Sequence, residues 1–301
     1  MSVERRELLQ GLVAAALPGN PGVAEVGAGR GPGLESSPAC GGVPAMATGS
    51  DLGSLYPFIQ KQAPVGLPAL SFARAEFTDL AAWKTQARRR LQELLHYAPE
   101  PCDPKPETAE RIDCGDHYRE RVTFQTTPAL RIPAYVLVPK GEKKRWPAIV
   151  ALHDHGGFYF WGKEKLIALP EEHPVLTEFR GRYYSGRPIA MELVRQGYLV
   201  VVTDMFYWGE RRMLLDDDPA DWRERPRSIT PERITAFNQR SSQNEQLVGR
   251  SLYTAGSTWS GVMFWDDVRT VDYLLSRPDV DPARIGCVGL SVGGLRSCHL
   301  A

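Results

Sequence analysis

The chain has 301 residues, 43% of them hydrophobic and 24% charged, enough apolar material to bury one large core or two modest ones. Its 36 Lys and Arg balance its 36 Asp and Glu, so no summed field draws the molecule onto phosphate backbones or acidic membranes, and nucleic acid is not an expected partner. Five cysteines, Cys40, Cys102, Cys114, Cys287 and Cys298, form no CxxC pair and no metal-ligand spacing, which argues against a structural zinc site. Cys102 and Cys114 read either as a bridge formed in an oxidising compartment or as two free thiols.

In chain order, the opening MSVERRELLQGLVAAALPG sets Arg5 and Arg6 before an apolar run from Leu8 to Leu17, which resembles a twin-arginine export signal. That run is far shorter than the roughly 20 residues of a membrane span, so a permanent anchor is excluded on length. Ala45-Met-Ala47 is a candidate cleavage site. The competing reading is a cytoplasmic protein whose arginine pair opens an ordinary surface helix, since Glu4 and Glu7 weaken the motif. Residues 18–50, rich in Gly, Pro, Ala and Ser without apolar period, are expected to be a leader without a fold.

From Phe77 the spacing of Leu80, Trp83, Ala87, Leu91 and Leu95 predicts an amphipathic helix with Thr78 as N-cap. Two β-like runs follow, TAERIDCGDHYRERVTFQT and LRIPAYVLVPKG, an antiparallel start. The continuous apolar stretches of WPAIVALHDHGG and YLVVVTDMFYWG predict strands covered on both faces. A helix between them stops at Gly197. A charged insertion leads to a helix with Thr230 as N-cap and Pro231 in its first turn. The next helix, near Gly261–Ser276, aligns Val262, Trp265, Val268, Val271 and Leu275, and DPARIGCVGLS supplies the last strand. This order predicts an α/β sheet, mainly parallel, flanked by helices.

That last strand runs into Gly289-Leu-Ser291-Val-Gly293-Gly294. Glycines bracket a serine at a strand-to-helix junction, the pattern of a nucleophile elbow, where a sharp turn exposes the hydroxyl and the new helix aims its first N–H groups at a developing oxyanion. Ser291 is the candidate nucleophile and the Val292 N–H the first oxyanion donor. A glycine-rich phosphate turn is disfavoured because GxxxxGK[ST] is absent and no GxGxxG opens a helix after the first strand.

The second constellation is His153-Asp-His155-Gly156-Gly157 after a parallel strand, where open sheets place ligand loops. One reading makes the backbone near His155 and Gly156 the other oxyanion side. A rival makes His153 and His155 an HxH metal pair completed by Asp154 or Asp204. Neither histidine is expected to be the catalytic base, which in such a fold follows the nucleophile.

RPDVDPARIGCVGLSVGG and ALHDHGGFYFWGKEKL resemble the dienelactone hydrolase and acetyl xylan esterase-like branch of the α/β-hydrolases, over roughly Phe77 to the end. The resemblance implies an α/β-hydrolase fold, ester or related acyl hydrolysis, Ser291 as nucleophile, the His155–Gly157 loop on the oxyanion side, and no metal or organic cofactor. The family pattern also places an acid and then a histidine downstream of the serine, but ten residues follow Ser291. His299 is rejected as that base, because it lies more than two helical turns along the expected helix. The expectation is therefore a leader over residues 1–50 and, over 51–301, a C-terminally truncated hydrolase domain with later strands missing, an N-terminal helical extension and poor activity.

Trp161, Trp208, Trp259 and Trp265 fall near loops expected to crown the sheet, and aromatic faces suit sugar rings, so a small-molecule or carbohydrate ester is the expected substrate. The segment Arg211–Ser257 reads as a cap over the site or as surface decoration. The alternatives to an esterase are a peptidase-like serine hydrolase, a noncatalytic binding protein that kept the fold, and the metal-dependent hydrolase built on His153 and His155.

Overall fold

The structure, a computed structural model, describes residues 49–301 apart from Pro64, so the export signal and its cleavage site lie outside the described residues. The chain divides into two compact units at Pro68. The described part of the first holds a 3-10 turn, Gly53–Leu55, running into α1 (Tyr56–Gln62), with Pro57 in the first turn, where its missing N–H leaves no hydrogen bond unmade.

The second unit, residues 69–301, begins with α2 (Leu80–Leu95). Its cap is Asp79 and not Thr78: the Asp79 carboxylate accepts from the N–H groups of Ala81 and Ala82 at 2.9 and 3.1 Å. The expected stripe is present, with Trp83, Ala87 and Leu91 half-buried and Leu95 buried, while Leu80 stays exposed. Next come β1 (Glu107–Asp113), β2 (His117–Thr127) and β3 (Leu130–Pro139). The run read as one strand is two, because the Asp113 carboxylate accepts from the Gly115 N–H and Gly115 takes φ +90°, reversing the chain.

β4 (Trp146–Leu152) is followed by α3 (Pro174–Tyr183), α4 (Ile189–Arg195) and β5 (Leu199–Thr203). Gly197, at φ +88°, ends α4 as expected. Then come α5 (Ala220–Glu224), α6 (Pro231–Thr254) with Thr230 as N-cap, and α7 (Trp259–Ser276), capped by the Thr258 hydroxyl on the Gly261 N–H at 2.9 Å. β6 (Val280–Gly289) and α8 (Val292–Leu300) close the described order.

The six strands of the described residues form one mixed sheet in the order β1-β2-β3-β5-β4-β6. β5, β4 and β6 run parallel, whereas β1, β2, β3 and β5 pair antiparallel, so the mainly parallel expectation holds only on the side that carries the glycine-flanked serine. All five residues of β5 are buried and divide by alternation: Val200 and Val202 join one core, Leu199 and Val201 the other. Helices therefore cover both faces, α4 on the first and Tyr273 and Leu274 of α7 on the second. Among the described residues, no helix is long and apolar enough to cross a membrane.

Candidate active site

Strand register assembles the site. Leu152 at the end of β4 pairs with Gly289 at the end of β6, so the His153–Gly157 loop and the Leu290–Ser291 turn emerge together at the carboxyl edge of parallel strands. Ser291 sits at φ 56°, ψ −122°, a backbone state that residues with a Cβ avoid, and its side chain is exposed. The flanking glycines permit that turn. A Cβ on Gly289 would lie 2.2 Å from the Gly293 carbonyl, and one on Gly293 would lie 2.1 Å from the Leu152 carbonyl oxygen. α8 thus starts in backbone contact with the end of β4. The N–H of Val292, its first residue, belongs to the unsatisfied donors of the helix terminus.

The histidine loop is held by its carbonyls. Lys165 Nζ donates to the carbonyls of Asp154 and His155 at 3.0 and 3.2 Å, and Trp208 Nε1 donates to the His155 carbonyl at 3.2 Å. A trans peptide sets C=O and N–H opposite each other, so anchoring the His155 carbonyl fixes the direction of the Gly156 N–H. Gly156 and Gly157 both take positive φ, and a Cβ on Gly156 would strike the Asp154 carboxylate and the Phe179 ring. Burial, opposed by Asp154, pulls the Lys165 pKa down to about 8.

The HxH metal pair does not form. His153 is fully buried; its Nδ1 meets the Asp154 carbonyl at 2.8 Å and its Nε2 accepts from the Met205 N–H at 3.1 Å, so both nitrogens are used. Burial, with Lys165 and Arg296 nearby, holds its pKa well below the usual histidine value. Asp154 hydrogen-bonds the Tyr184 hydroxyl, and Asp204 binds Lys163 Nζ at 2.7 Å, so the proposed completing ligands are occupied as well. Among the described residues, no group of three or more His, Cys, Asp or Glu could hold a metal ion.

His155 faces a cavity of about 330 Å³. Its Nδ1 accepts from the Gly157 N–H at 3.0 Å and its Nε2 donates to Glu245 Oε1 at 2.6 Å, roles assigned from these partners. Tyr159 donates its hydroxyl to the same Glu245 oxygen at 2.7 Å. Met205, Trp208, Trp259, Met263 and Val292 give the cavity apolar walls, and Gln246 lies beside Glu245. Of the four tryptophans singled out in the sequence, Trp208 and Trp259 line it. Trp161 packs in the core against Phe158 and Phe160, and Trp265 donates to the Thr126 carbonyl at 2.7 Å. The cap reading of the Arg211–Ser257 segment gains support from α6, which carries Glu245 and Gln246. Neither residue was singled out in the sequence, where they lie in a polar helix with no local motif.

Two buried charge clusters brace these loops. Lys163 Nζ binds Asp204 Oδ2 at 2.7 Å and Glu210 Oε1 at 2.5 Å, fastening the turn after β5 that delivers Met205 and Trp208. Burial alone would lower the Lys163 pKa, but Asp204, Glu164 and Glu210 outweigh it and hold it above its ordinary value. In the second cluster, Arg296 of α8 forms a two-pronged pair with Asp267 of α7, one prong at 2.9 Å, tying the helix after Ser291 to its neighbour. His299, farther along α8, lies edge-on to Phe264 at 6.1 Å, and Ser291 has no hydrogen bond to any histidine among the described residues. Cys102, Cys114, Cys287 and Cys298 are free thiols.

The abhydrolase family matches residues 52–219, more than half of the chain, and the dienelactone hydrolase family matches residues 166–301. YtaP of Bacillus subtilis (strain 168), named as a hydrolase, is 27% identical over 213 residues, which are 70% of this chain and 58% of YtaP. A crystal structure from Bacteroides fragilis NCTC 9343, described as an acetyl xylan esterase, superposes with a TM-score of 0.61 at 20% identity, covering 85% of this chain and 60% of that one. A glucuronoyl esterase from Solibacter usitatus has a TM-score of 0.43 at 16% identity, covering 80% and 62%. The chain thus spans about three fifths of the length of these proteins. It belongs to the abhydrolase family, in the branch of α/β-hydrolases that takes in the dienelactone hydrolase family and shares its fold with acetyl xylan esterases.

Proposed function

We propose that this chain carries the nucleophile and oxyanion side of a serine carboxylic-ester hydrolase acting on small or carbohydrate esters. The observation that carries the reading is Ser291 at φ 56°, ψ −122° between two glycines that admit no side chain. Strain of this kind, about 1–3 kcal/mol, persists only where surrounding structure over-determines it, and such positions cluster at active sites. In this reading the Ser291 hydroxyl attacks the ester carbonyl. The N–H of Val292 and those of the anchored His155–Gly156 stretch receive the negative charge on the carbonyl oxygen. The partly exposed Trp259 supplies a flat wall for a ring, with the buried Trp208 behind the cavity, in keeping with the esterase description of a fold neighbour.

Among the described residues, no histidine is hydrogen-bonded to Ser291. Both nitrogens of His155 are engaged, by Gly157 and Glu245, and His299 contacts Phe264, so neither is set to take the hydroxyl proton. These 301 residues are therefore expected to turn over esters poorly by themselves, and the second reading is a binding protein that kept the pocket. Hydrolysis of p-nitrophenyl acetate by the chain and by Ser291→Ala tests this. Turnover close to the Ala background is expected, and strong serine-dependent turnover would show that a base is in place after all.

A further inference from the structure

We propose that Glu245 makes the cavity selective for uncharged, hydroxyl-bearing ring substrates and against anionic ones. This deepens the ester-site reading and rests on the cavity being its substrate pocket. Three observations meet here. Glu245 Oε1 takes two donors, His155 Nε2 at 2.6 Å and the Tyr159 hydroxyl at 2.7 Å, which hold the carboxylate in one place and leave its second oxygen for a ligand. No lysine or arginine lines the cavity among the described residues, so nothing there offsets that charge for an incoming carboxylate. The remaining polar wall is Gln246, an uncharged amide, in a cavity also lined by the partly exposed Trp259 and the buried Trp208, whose ring centroids are 6.3 Å apart at 66°.

A pyranose fits this chemistry: its C–H face lies on an indole, one hydroxyl donates to Glu245 Oε2, and a second meets the Gln246 amide. A ring of the same size carrying a carboxylate must place its charge within several ångströms of Glu245 inside a small, largely apolar enclosure. There, like charges repel more strongly than in bulk water, though salt still reaches the partly open cavity. The repulsive element sets the specificity, and the aromatic walls, indifferent to charge, set the affinity common to both ligands.

Phenyl β-D-glucopyranoside and phenyl β-D-glucuronide differ in that one bears CH2OH where the other bears a carboxylate, and their binding to the intact chain is measured by calorimetry at low and at high salt. The expected result is about tenfold tighter binding of the glucoside at low salt, the size of a like-charge penalty at short range in a partly shielded site. The gap narrows in high salt and closes in Glu245→Gln, which keeps the shape of the side chain and an oxygen to accept from His155 and Tyr159, removes the charge, and offers an amide N–H in place of the second oxygen. Equal binding of the two ligands by the wild type, preference for the glucuronide, a gap unchanged in Glu245→Gln, or no binding of either ligand overturns the proposal. The wild-type salt series stands even if the variant folds poorly. Fluorophosphonate labelling of Ser291 in the same preparation reports separately on the ester-hydrolase reading: label without discrimination sinks only the Glu245 proposal, and discrimination without label sinks only the other.

Discussion

Replacing Gly293 by alanine puts a methyl group 2.1 Å from the Leu152 carbonyl oxygen, 2.7 Å from its carbon and 2.8 Å from the His153 carbonyl oxygen. All three obstacles are backbone at the end of a buried strand, so no side chain can swing aside; α8 must back away from β4. Overpacking of this kind costs about 1–3 kcal/mol, and rigid obstacles place it at the upper end. Alanine returns up to about 1 kcal/mol as the better helix former, leaving a net loss of about 2 kcal/mol. Gly294→Ala is the control, because its Cβ would stand 3.4 Å from the Gly289 carbonyl oxygen, an ordinary contact. It should be neutral or stabilising by about 0.5 kcal/mol. Urea unfolding monitored by tryptophan fluorescence gives both values, read as a shift in midpoint at constant slope. Moving α8 also moves Ser291 and the Val292 N–H, so Gly293→Ala should react more slowly with a fluorophosphonate while Gly294→Ala keeps the wild-type rate. A Gly293→Ala protein as stable and as reactive as wild type would refute the close-approach argument for the glycine bracket.

Other substitutions probe separate parts of the account. Ser291→Gly relieves the backbone strain that Ser291→Ala retains, so chemical denaturation should find the glycine variant about 1 kcal/mol more stable than the alanine variant; the reverse order would contradict strain at the turn. Asp267→Ala strands the buried Arg296 guanidinium and should cost about 3–5 kcal/mol, whereas the double change to Asp267→Leu and Arg296→Met should recover much of that loss in the same assay. Burial would raise the Glu164 pKa, but Lys163 and Arg225 pull it down to about 2 from an ordinary 4.5. Its contribution is therefore full above pH 4.5 and is lost as pH falls toward 2, a swing of about 3 kcal/mol. The stability gap between wild type and Glu164→Gln should shrink over that window, and a gap that stays constant would show that the carboxylate does not gain this stabilisation on folding.

How much of this was legible in the sequence depended on whether the cause was local. Ser291, its glycines and the buried runs of β4 and β5 announce themselves because a strained turn and a two-sided sheet each demand particular residue types in a row. The cap of α2 is ambiguous in the sequence because Thr78 and Asp79 are both good N-caps, and only the position of the Asp79 carboxylate distinguishes them. The β1–β2 turn at Cys114–Asp116 leaves little trace in the sequence, because one glycine in a polar run is a weak signal. Glu245 was invisible for a different reason. It lies in the polar helix QRSSQNEQL, and it reaches His155, 90 residues earlier, only because Ile234 and Phe237 bury the other end of α6 in the core. The HxH pair failed likewise on tertiary grounds: β4 ends at Leu152, so the rule that residues i and i+2 share a face lapses in the loop, where His153 turns into the core and His155 into the cavity.

The proposed reading makes Ser291 a nucleophile to which no histidine among the described residues is hydrogen-bonded, and peptide mapping by mass spectrometry after prolonged exposure to excess fluorophosphonate tests it. In the reaction the serine Oγ–P bond forms, the P–F bond breaks, fluoride leaves and the hydroxyl proton passes to solvent. The account predicts a slow, single adduct on Ser291, absent from Ser291→Ala. A folded chain that remains unlabelled, or that carries its label on another residue, contradicts it.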